Sequence, residues 1–196
     1  MNKTESIDIY LRPTVEEIEK EITRRENKRE LRATVLGAIK NIIVIAAAAV
    51  LISNLLISVL VVNRGSMNPT LNDGEVIITS RLSGIERQDV VAFYYNNKIL
   101  VKRVIAKAGD WINITSDGAV YINNEILNEP YLTQQSLGEC DIDFPYQVPD
   151  GTVFVMGDNR AFSADSRLNE IGPVKSEDIV GKVFMRIWPL QNIKFF

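Results

Sequence analysis

The chain has 196 residues, one cysteine, no histidine and a net charge of −3 at pH 7. A single cysteine, Cys140, cannot form an intrachain disulfide, and the lack of histidine excludes Ser-His-Asp and Cys-His catalysis and histidine-ligated zinc within the chain. The small negative charge gives no electrostatic support for binding nucleic acid, so we expect no such partner. Proton transfer near neutral pH must then use a carboxylate, a tyrosine or a lysine with a shifted pKa.

The N-terminal segment, residues 1–40, is densely charged and is predicted to contain a solvated helix. Thr14 followed by Glu17 fits a capping box, and opposite charges recur at i, i+4 spacing between Val15 and Arg32. We interpret this segment as a charged cytoplasmic stalk without chemistry of its own.

Residues 41–62 form an uncharged, apolar run of 22 residues. At about 1.5 Å per residue, a helix of this length spans a hydrocarbon core of about 30 Å, so the run predicts a single-pass anchor in a lipid bilayer. A cleaved signal peptide is the competing interpretation, but the run is too long and begins too far along the chain.

Basic residues predict the orientation of this anchor. Six of them precede the span, whereas Arg64 stands nearly alone after it; the six are Arg24, Arg25, Lys28, Arg29, Arg32 and Lys40. The positive-inside rule therefore predicts a cytoplasmic N-terminus in a cell membrane and an extracytoplasmic domain over residues 63–196.

Short β-type runs separated by turn signals fill residues 63–196. Asn96-Asn97 between two such runs predicts a hairpin. A mainly β domain, a folded sheet or barrel-like sandwich, is therefore expected. The predicted strands are Glu75–Thr79, Val90–Tyr95, Ile99–Lys107, Trp111–Thr115, Ala119–Ile122, Thr152–Met156 and Ile179–Ile187.

Two segments of this domain carry residues suited to nucleophilic catalysis. Ser66 stands between Gly65 and Pro69, where a turn would let its hydroxyl project, although a serine in such a turn is by itself ordinary loop chemistry. Lys102 shares a strand face with Leu100 and Val104, and burial there would lower its pKa towards the range of a general base. The alternative is an edge-strand lysine whose amine reaches solvent.

A third segment, residues 157–167, is a dense polar loop that directly follows an apolar strand. It suggests the floor of a site, and within it Asp165 and Arg167 could form an ion pair that stiffens the loop. A solvated, turn-rich loop is the alternative.

Together these segments resemble the bacterial type I signal peptidase family. Ser66-Met67 with Pro69-Thr70 is similar to the nucleophile motif of that family, and Lys102-Arg103 with Gly109-Asp110 is similar to its general-base motif. Gly157-Asp158-Asn159-Arg160 continuing through Ser163, Asp165, Ser166 and Arg167 resembles its longest motif. The resemblance runs from the anchor to the C-terminus, with smaller matches that include Glu129-Pro130-Tyr131.

The resemblance implies the fold of that family and a role for each motif residue. Ser66 would be the nucleophile and Lys102 the general base, with Ser163 holding the amine. Asp165 and Arg167 would form a structural pair, and Gly157 would keep the backbone close to the dyad. No metal or organic cofactor is expected.

The chain departs from the family pattern at two positions. Ala108 replaces a proline common before Gly109-Asp110. Arg64 stands where many relatives carry a small hydroxyl residue that assists the oxyanion hole, so the second donor is either another group or the Arg64 guanidinium.

The implied function is removal of N-terminal signal peptides from secretory preproteins, cut after small residues at −1 and −3. Two other functions are open to a chain with these residues. One is a self-cleaving repressor-type peptidase with a Ser-Lys dyad, and the other is a membrane-anchored β module that binds exported proteins without catalysis.

Overall fold

The computed structural model describes residues 13–82 and 84–196, in two compact units that divide between Ile52 and Ser53. Residues 1–12 of the predicted N-terminal segment lie outside the described residues. One long helix and a β domain account for nearly all the regular structure, so the prediction of a mainly β chain with one N-terminal apolar helix is confirmed.

Helix α1 runs without a break from Val15 to Leu56. The predicted capping box begins it: the Thr14 N–H donates to Glu17 Oε2 at 3.0 Å, and the Glu17 N–H donates to Thr14 Oγ1 at 3.3 Å. By length and composition, its portion Val15–Ile52 could cross a membrane. Residues 15–40 of the charged segment and residues 41–56 of the apolar run are therefore parts of one helix.

The C-terminal boundary predicted for the anchor, residue 62, is wrong. Strand β1, Ile57–Val61, follows α1 directly and pairs in antiparallel fashion with β2, Val76–Ser80. Val62 is buried in the core of the β domain. An apolar run rich in β-branched residues fits a buried strand as well as a helix, and here the partner strand decides the outcome.

The β domain contains two antiparallel sheets. The large sheet has the order β1-β2-β11-β3-β4-β9-β10, with β12 paired to β11. Its further strands are β3 Val90–Tyr95, β4 Lys98–Lys107, β9 Thr152–Met156, β10 Val174–Lys175, β11 Ile179–Trp188 and β12 Lys194–Phe195. The small sheet has the order β7-β6-β5-β8, with β5 Trp111–Ile114, β6 Val120–Ile122, β7 Glu125–Ile126 and β8 Tyr146–Gln147.

All seven predicted strands are present, each within one residue of its predicted ends. The predicted hairpin joins β3 to β4, where Asn96 and Asn97 have φ values of 45° and 60°. Asparagine tolerates this left-handed backbone better than most residues, which explains the turn.

Within the described residues, the core of the β domain consists of three apolar clusters. One joins the small sheet to β4 and β9 through residues such as Ile112, Phe154 and Met156. A second packs the segment after β1 against β2, β3 and β11, with Met67 and Leu71 in its centre. The second cluster fixes the turn that carries Ser66.

Candidate active site

Ser66 lies in a turn between β1 and β2 that is anchored by its own neighbours. Met67 is 1% exposed and Leu71 is fully buried, and the Leu71 N–H donates to Met67 O at 2.9 Å. Arg64 and Gly65 both adopt positive φ, so the chain turns sharply just before the serine. Ser66 itself is half-buried.

The loop after β9 holds this turn through Asn159 and Gly157. The Asn159 N–H donates to Ser66 O at 3.0 Å, and its Nδ2 donates to Gly65 O at 3.2 Å. A Cβ at Gly157 would lie 2.5 Å from Ser66 O and 2.2 Å from Ser163 Oγ. Only glycine therefore allows Ser66 and Ser163 to pack this closely against the backbone at position 157.

Lys102 lies in β4 of the large sheet and is 3% exposed. Its Nζ donates to Ser163 Oγ at 2.9 Å. Burial lowers the pKa of Lys102 to about 8, because desolvation of the ammonium outweighs the charge of Asp165, while Arg167 acts in the same direction as burial. The alternative of a lysine amine that reaches solvent is wrong, since the side chain is buried and its Nζ donates to Ser163 Oγ.

Asp165 and Arg167 brace the polar loop from inside. Both side chains are fully buried, and the guanidinium donates to the two carboxylate oxygens at 2.8 Å each. Asp165 Oδ2 also accepts from the Gly157 N–H at 2.9 Å, and Arg167 Nη2 donates to Ser163 O at 3.3 Å. Burial alone would raise the pKa of Asp165, but these hydrogen bonds and the charge of Arg167 lower it, so the carboxylate stays ionised. Most polar side chains of the loop are therefore buried, and the solvated alternative is wrong.

Ser66, Lys102 and Arg64 line one cavity of about 780 Å³. Its size is within the range of ligand sites, and its walls combine aliphatic and polar side chains. Arg64 is exposed on the rim, and Phe162, which directly precedes Ser163, lines the cavity with its side chain 80% exposed. The structure thus brings six of the seven expected residues into one connected group, with Arg64 joined to it through the cavity alone.

Sequence reasoning gave no role to two contacts that hold this group together. One is the Asn159 contact with the serine turn. The other is the buried pair of Arg103 with Asp158, at 2.8 Å from Nε to Oδ1 and 2.6 Å from Nη2 to Oδ2. Arg103 Nη2 also reaches Thr70 Oγ1 at 3.3 Å, so the pair connects β4, the loop and the serine turn. The signal available in the sequence for this pair was the opposite charge of Arg103, next to Lys102, and Asp158, next to Gly157.

Comparison with known proteins now identifies the family. The family described as "Signal peptidase, peptidase S26" matches residues 35–188. The chain belongs to this family. The resemblance seen in the motifs is confirmed, and membership favours a peptidase that removes signal peptides over a self-cleaving repressor-type peptidase or a binding module.

Individual signal peptidases are similar over most of their lengths. The chain is 41% identical over 151 residues to "Signal peptidase I" of Bacillus caldolyticus, covering 69% of this chain and 81% of the relative. It is 35% identical over 180 residues to "Signal peptidase I" of Bacillus amyloliquefaciens, covering 86% and 96%. A solved signal peptidase I from Enterococcus faecalis aligns with 51% of this chain and 97% of its own, at 29% identity and a TM-score of 0.44.

Proposed function

We propose that this signal peptidase is a membrane-anchored serine endopeptidase in which Ser66 is the nucleophile and Lys102 the general base. Its substrates are secretory preproteins, from which it removes the N-terminal signal peptide. The observation that carries the proposal is the desolvated Lys102 amine, bonded to Ser163 and facing the same cavity as Ser66, in a chain without histidine.

The reaction begins when neutral Lys102 accepts the proton of the Ser66 hydroxyl as Oγ attacks the scissile carbonyl carbon. The tetrahedral intermediate collapses to an acyl-enzyme as the peptide C–N bond breaks, and Lys102 returns the proton to the leaving amine. Water then attacks the ester, with Lys102 taking and returning one proton, which releases the signal peptide carboxylate and restores Ser66.

Ser163, Gly157, Asp165 and Arg167 keep the dyad in place without touching the reacting bond. The Ser163 hydroxyl accepts from the Lys102 amine and so fixes its direction. The buried Asp165–Arg167 pair holds both the Gly157 N–H and the Ser163 carbonyl. This preorganisation means that the dyad needs little rearrangement when substrate arrives.

The oxyanion would be stabilised by the Ser66 N–H and by a second donor. Arg64 is the candidate, since it lines the cavity beside Ser66 and its guanidinium is exposed. Each oxyanion donor contributes about 10²–10³-fold to kcat, so Arg64→Ala should lower kcat by that factor. An unchanged kcat would remove Arg64 from this role.

The preprotein would bind as an added strand with small side chains at −1 and −3. β4 pairs with β9 only from Arg103 to Lys107, so among the described residues the stretch Lys98–Lys102 has no strand beside it on that side. An extended peptide there would present alternate side chains to the cavity. A precursor with a bulky residue at −1 should remain uncut.

The anchor would be single-pass in the cell membrane, with the N-terminus cytoplasmic and the β domain outside. Helix α1 has the length and composition of a span, and the basic residues on its N-terminal side support this orientation. Such an anchor keeps Ser66 close to the bilayer, where a signal peptide inserted through its apolar region presents its cleavage site.

The test compares full-length variants in membrane vesicles. Ser66→Ala and Lys102→Ala should each lower precursor processing by about 10³-fold or more, because each removes one half of the dyad. Ser80→Ala at the end of β2 and Lys107→Ala at the end of β4 are matched controls and should process normally. Full processing by folded Ser66→Ala or Lys102→Ala protein would refute the proposed dyad.

A further inference from the structure

A buried polar group outside the cavity lining connects the segment after the small sheet's β7 to the loop after β9. Glu129 accepts two hydrogen bonds from the Arg160 guanidinium, one to Oε2 at 3.0 Å and one to Oε1, and both side chains are 1% exposed. The Tyr131 hydroxyl donates to Glu129 Oε1 at 2.7 Å. Charges this deeply buried are tolerated only when each has such partners.

Arg160 connects Glu129 to the backbone of the loop after β9. Its Nε donates to Gly157 O at 3.2 Å, and Gly157 is the residue packed between Ser163 Oγ and Ser66 O. The Glu129 carboxylate therefore fixes a guanidinium that in turn fixes the peptide group between the two serines.

Tyr131 reaches the other side of the site. Its ring lies against the Arg103 guanidinium, 3.8 Å from the ring centroid. Arg103 follows Lys102 on β4 and pairs with Asp158, the residue after Gly157. The tyrosine thus contacts the strand that carries the general base, while its hydroxyl contacts the carboxylate that holds the loop.

The segment with Glu129 and Tyr131 has its own anchor. It follows β7 of the small sheet, where the Leu127 N–H donates to Val120 O at 2.8 Å and the Leu127 side chain packs on the adjoining core. Both residues lie outside the cavity that Ser66 and Lys102 line. Their contacts with the candidate site run through Arg160 and Arg103.

We propose that Glu129 and Tyr131 are positioning residues for the dyad, which they hold in register from the small sheet through Arg160–Gly157 and Arg103–Asp158. The inference rests on the proposed function. A buried ion pair adds little net stability compared with apolar packing, so stability alone does not account for this arrangement. The contacts of this buried group reach Gly157, which packs against Ser66 and Ser163, and Arg103, which follows Lys102.

The experiment measures kcat, KM and the pH midpoint of kcat/KM for full-length Glu129→Gln and Tyr131→Phe in detergent micelles, with a melting curve for each. Glu129→Gln should lower kcat by about 10- to 100-fold, and Tyr131→Phe by about 3- to 10-fold, with KM nearly unchanged. The pH midpoint should move upward in both, because a looser site admits water to the Lys102 amine.

Two matched variants control for loss of a carboxylate or a hydroxyl elsewhere in the β domain. Asp89→Asn removes a partly buried partner of Lys182, and Tyr146→Phe removes a hydroxyl from the edge of the small-sheet core. Both should keep the original kcat and pH midpoint. A fall in melting temperature alone is the result that a merely structural role predicts.

The inference is overturned if folded Glu129→Gln and Tyr131→Phe keep the kcat and pH midpoint of the unmodified protein. If Glu129→Gln does not fold, Tyr131→Phe decides by the same criterion. Loss of processing in Ser66→Ala and Lys102→Ala together with normal Glu129 and Tyr131 variants would refute this inference alone, whereas activity in the dyad variants would refute the proposed function.

Discussion

Burial of the Lys102 amine acts in opposite directions on its proposed role as a general base and on folding. The amine is 3% exposed and its pKa is lowered to about 8, so a large neutral fraction is available near pH 8. In the unfolded chain the same amine returns to a pKa of about 10.4. Below pH 8 the folded protein must therefore keep a poorly solvated ammonium, which lowers its stability.

Replacing that amine should stabilise the fold in a pH-dependent way. The unfolded state binds this proton more tightly than the folded state does. The loss of folding stability is therefore complete below pH 8 and becomes smaller as the pH rises from about 8 to about 10.4. Lys102→Met should raise the free energy of unfolding by roughly 1–3 kcal/mol at pH 7, after allowing for the unpaired Ser163 hydroxyl. Thermal melting of the full-length protein in detergent at pH 7 and pH 10 measures the effect.

Lys107→Met is the control for this measurement. Lys107 ends the same strand and pairs with Glu86 in solvent, so its removal should change the melting temperature little at either pH. The prediction fails if Lys102→Met has the same melting temperature as the unmodified protein at pH 7. It also fails if the increase in melting temperature is the same at pH 10 as at pH 7, because burial of the ammonium would then not be its cause.

At the scale of secondary structure, local signals predicted the strands and one hairpin well and the helix end poorly. Asn96-Asn97 specifies its turn through residues that accept positive φ, and flanking β-branched residues specify β3 and β4. By contrast, Ile57–Val61 is as apolar as the helix before it, and only pairing with β2 makes it a strand. The shortest strands, such as β7 and β8, carry too few residues for any periodic pattern.

The candidate site shows the same division between local and long-range information. Alternation along β4 put Lys102 on an aliphatic face but left open an amine that reaches solvent. The resemblance to a family decided for the general base and supplied Ser163 as its partner. The contacts of Asn159 with the serine turn depend on residues more than 90 positions apart in the chain. Those of Glu129 with Arg160 depend equally on how the two sheets pack. No pattern in a single sequence encodes such register.

For the whole molecule, the proposed topology is tested by labelling single cysteines in cells. In a Cys140→Ser background, Asn123→Cys in the β domain should react with a membrane-impermeant maleimide on intact cells. Thr23→Cys in the charged part of α1 should react only after permeabilisation, because the basic residues beside it stay in the cytoplasm.

Two further observations complete that experiment. Both cysteines should react fully in detergent, which shows that the protein itself does not shield them. Labelling of Thr23→Cys but not Asn123→Cys on intact cells would reverse the orientation, and with it the assignment of an extracytoplasmic substrate.

The proposed mechanism depends most on the protonation state of the Lys102 amine in the active protein. Full-length protein with 13Cε-labelled lysine, in detergent micelles, allows Lys102 to be titrated by NMR, with Lys102→Met identifying its resonance. The account predicts a midpoint of about 8, with kcat/KM rising over the same pH range because only the neutral amine accepts the Ser66 proton. A Lys102 amine that stays protonated up to about pH 10 in an active protein would contradict it.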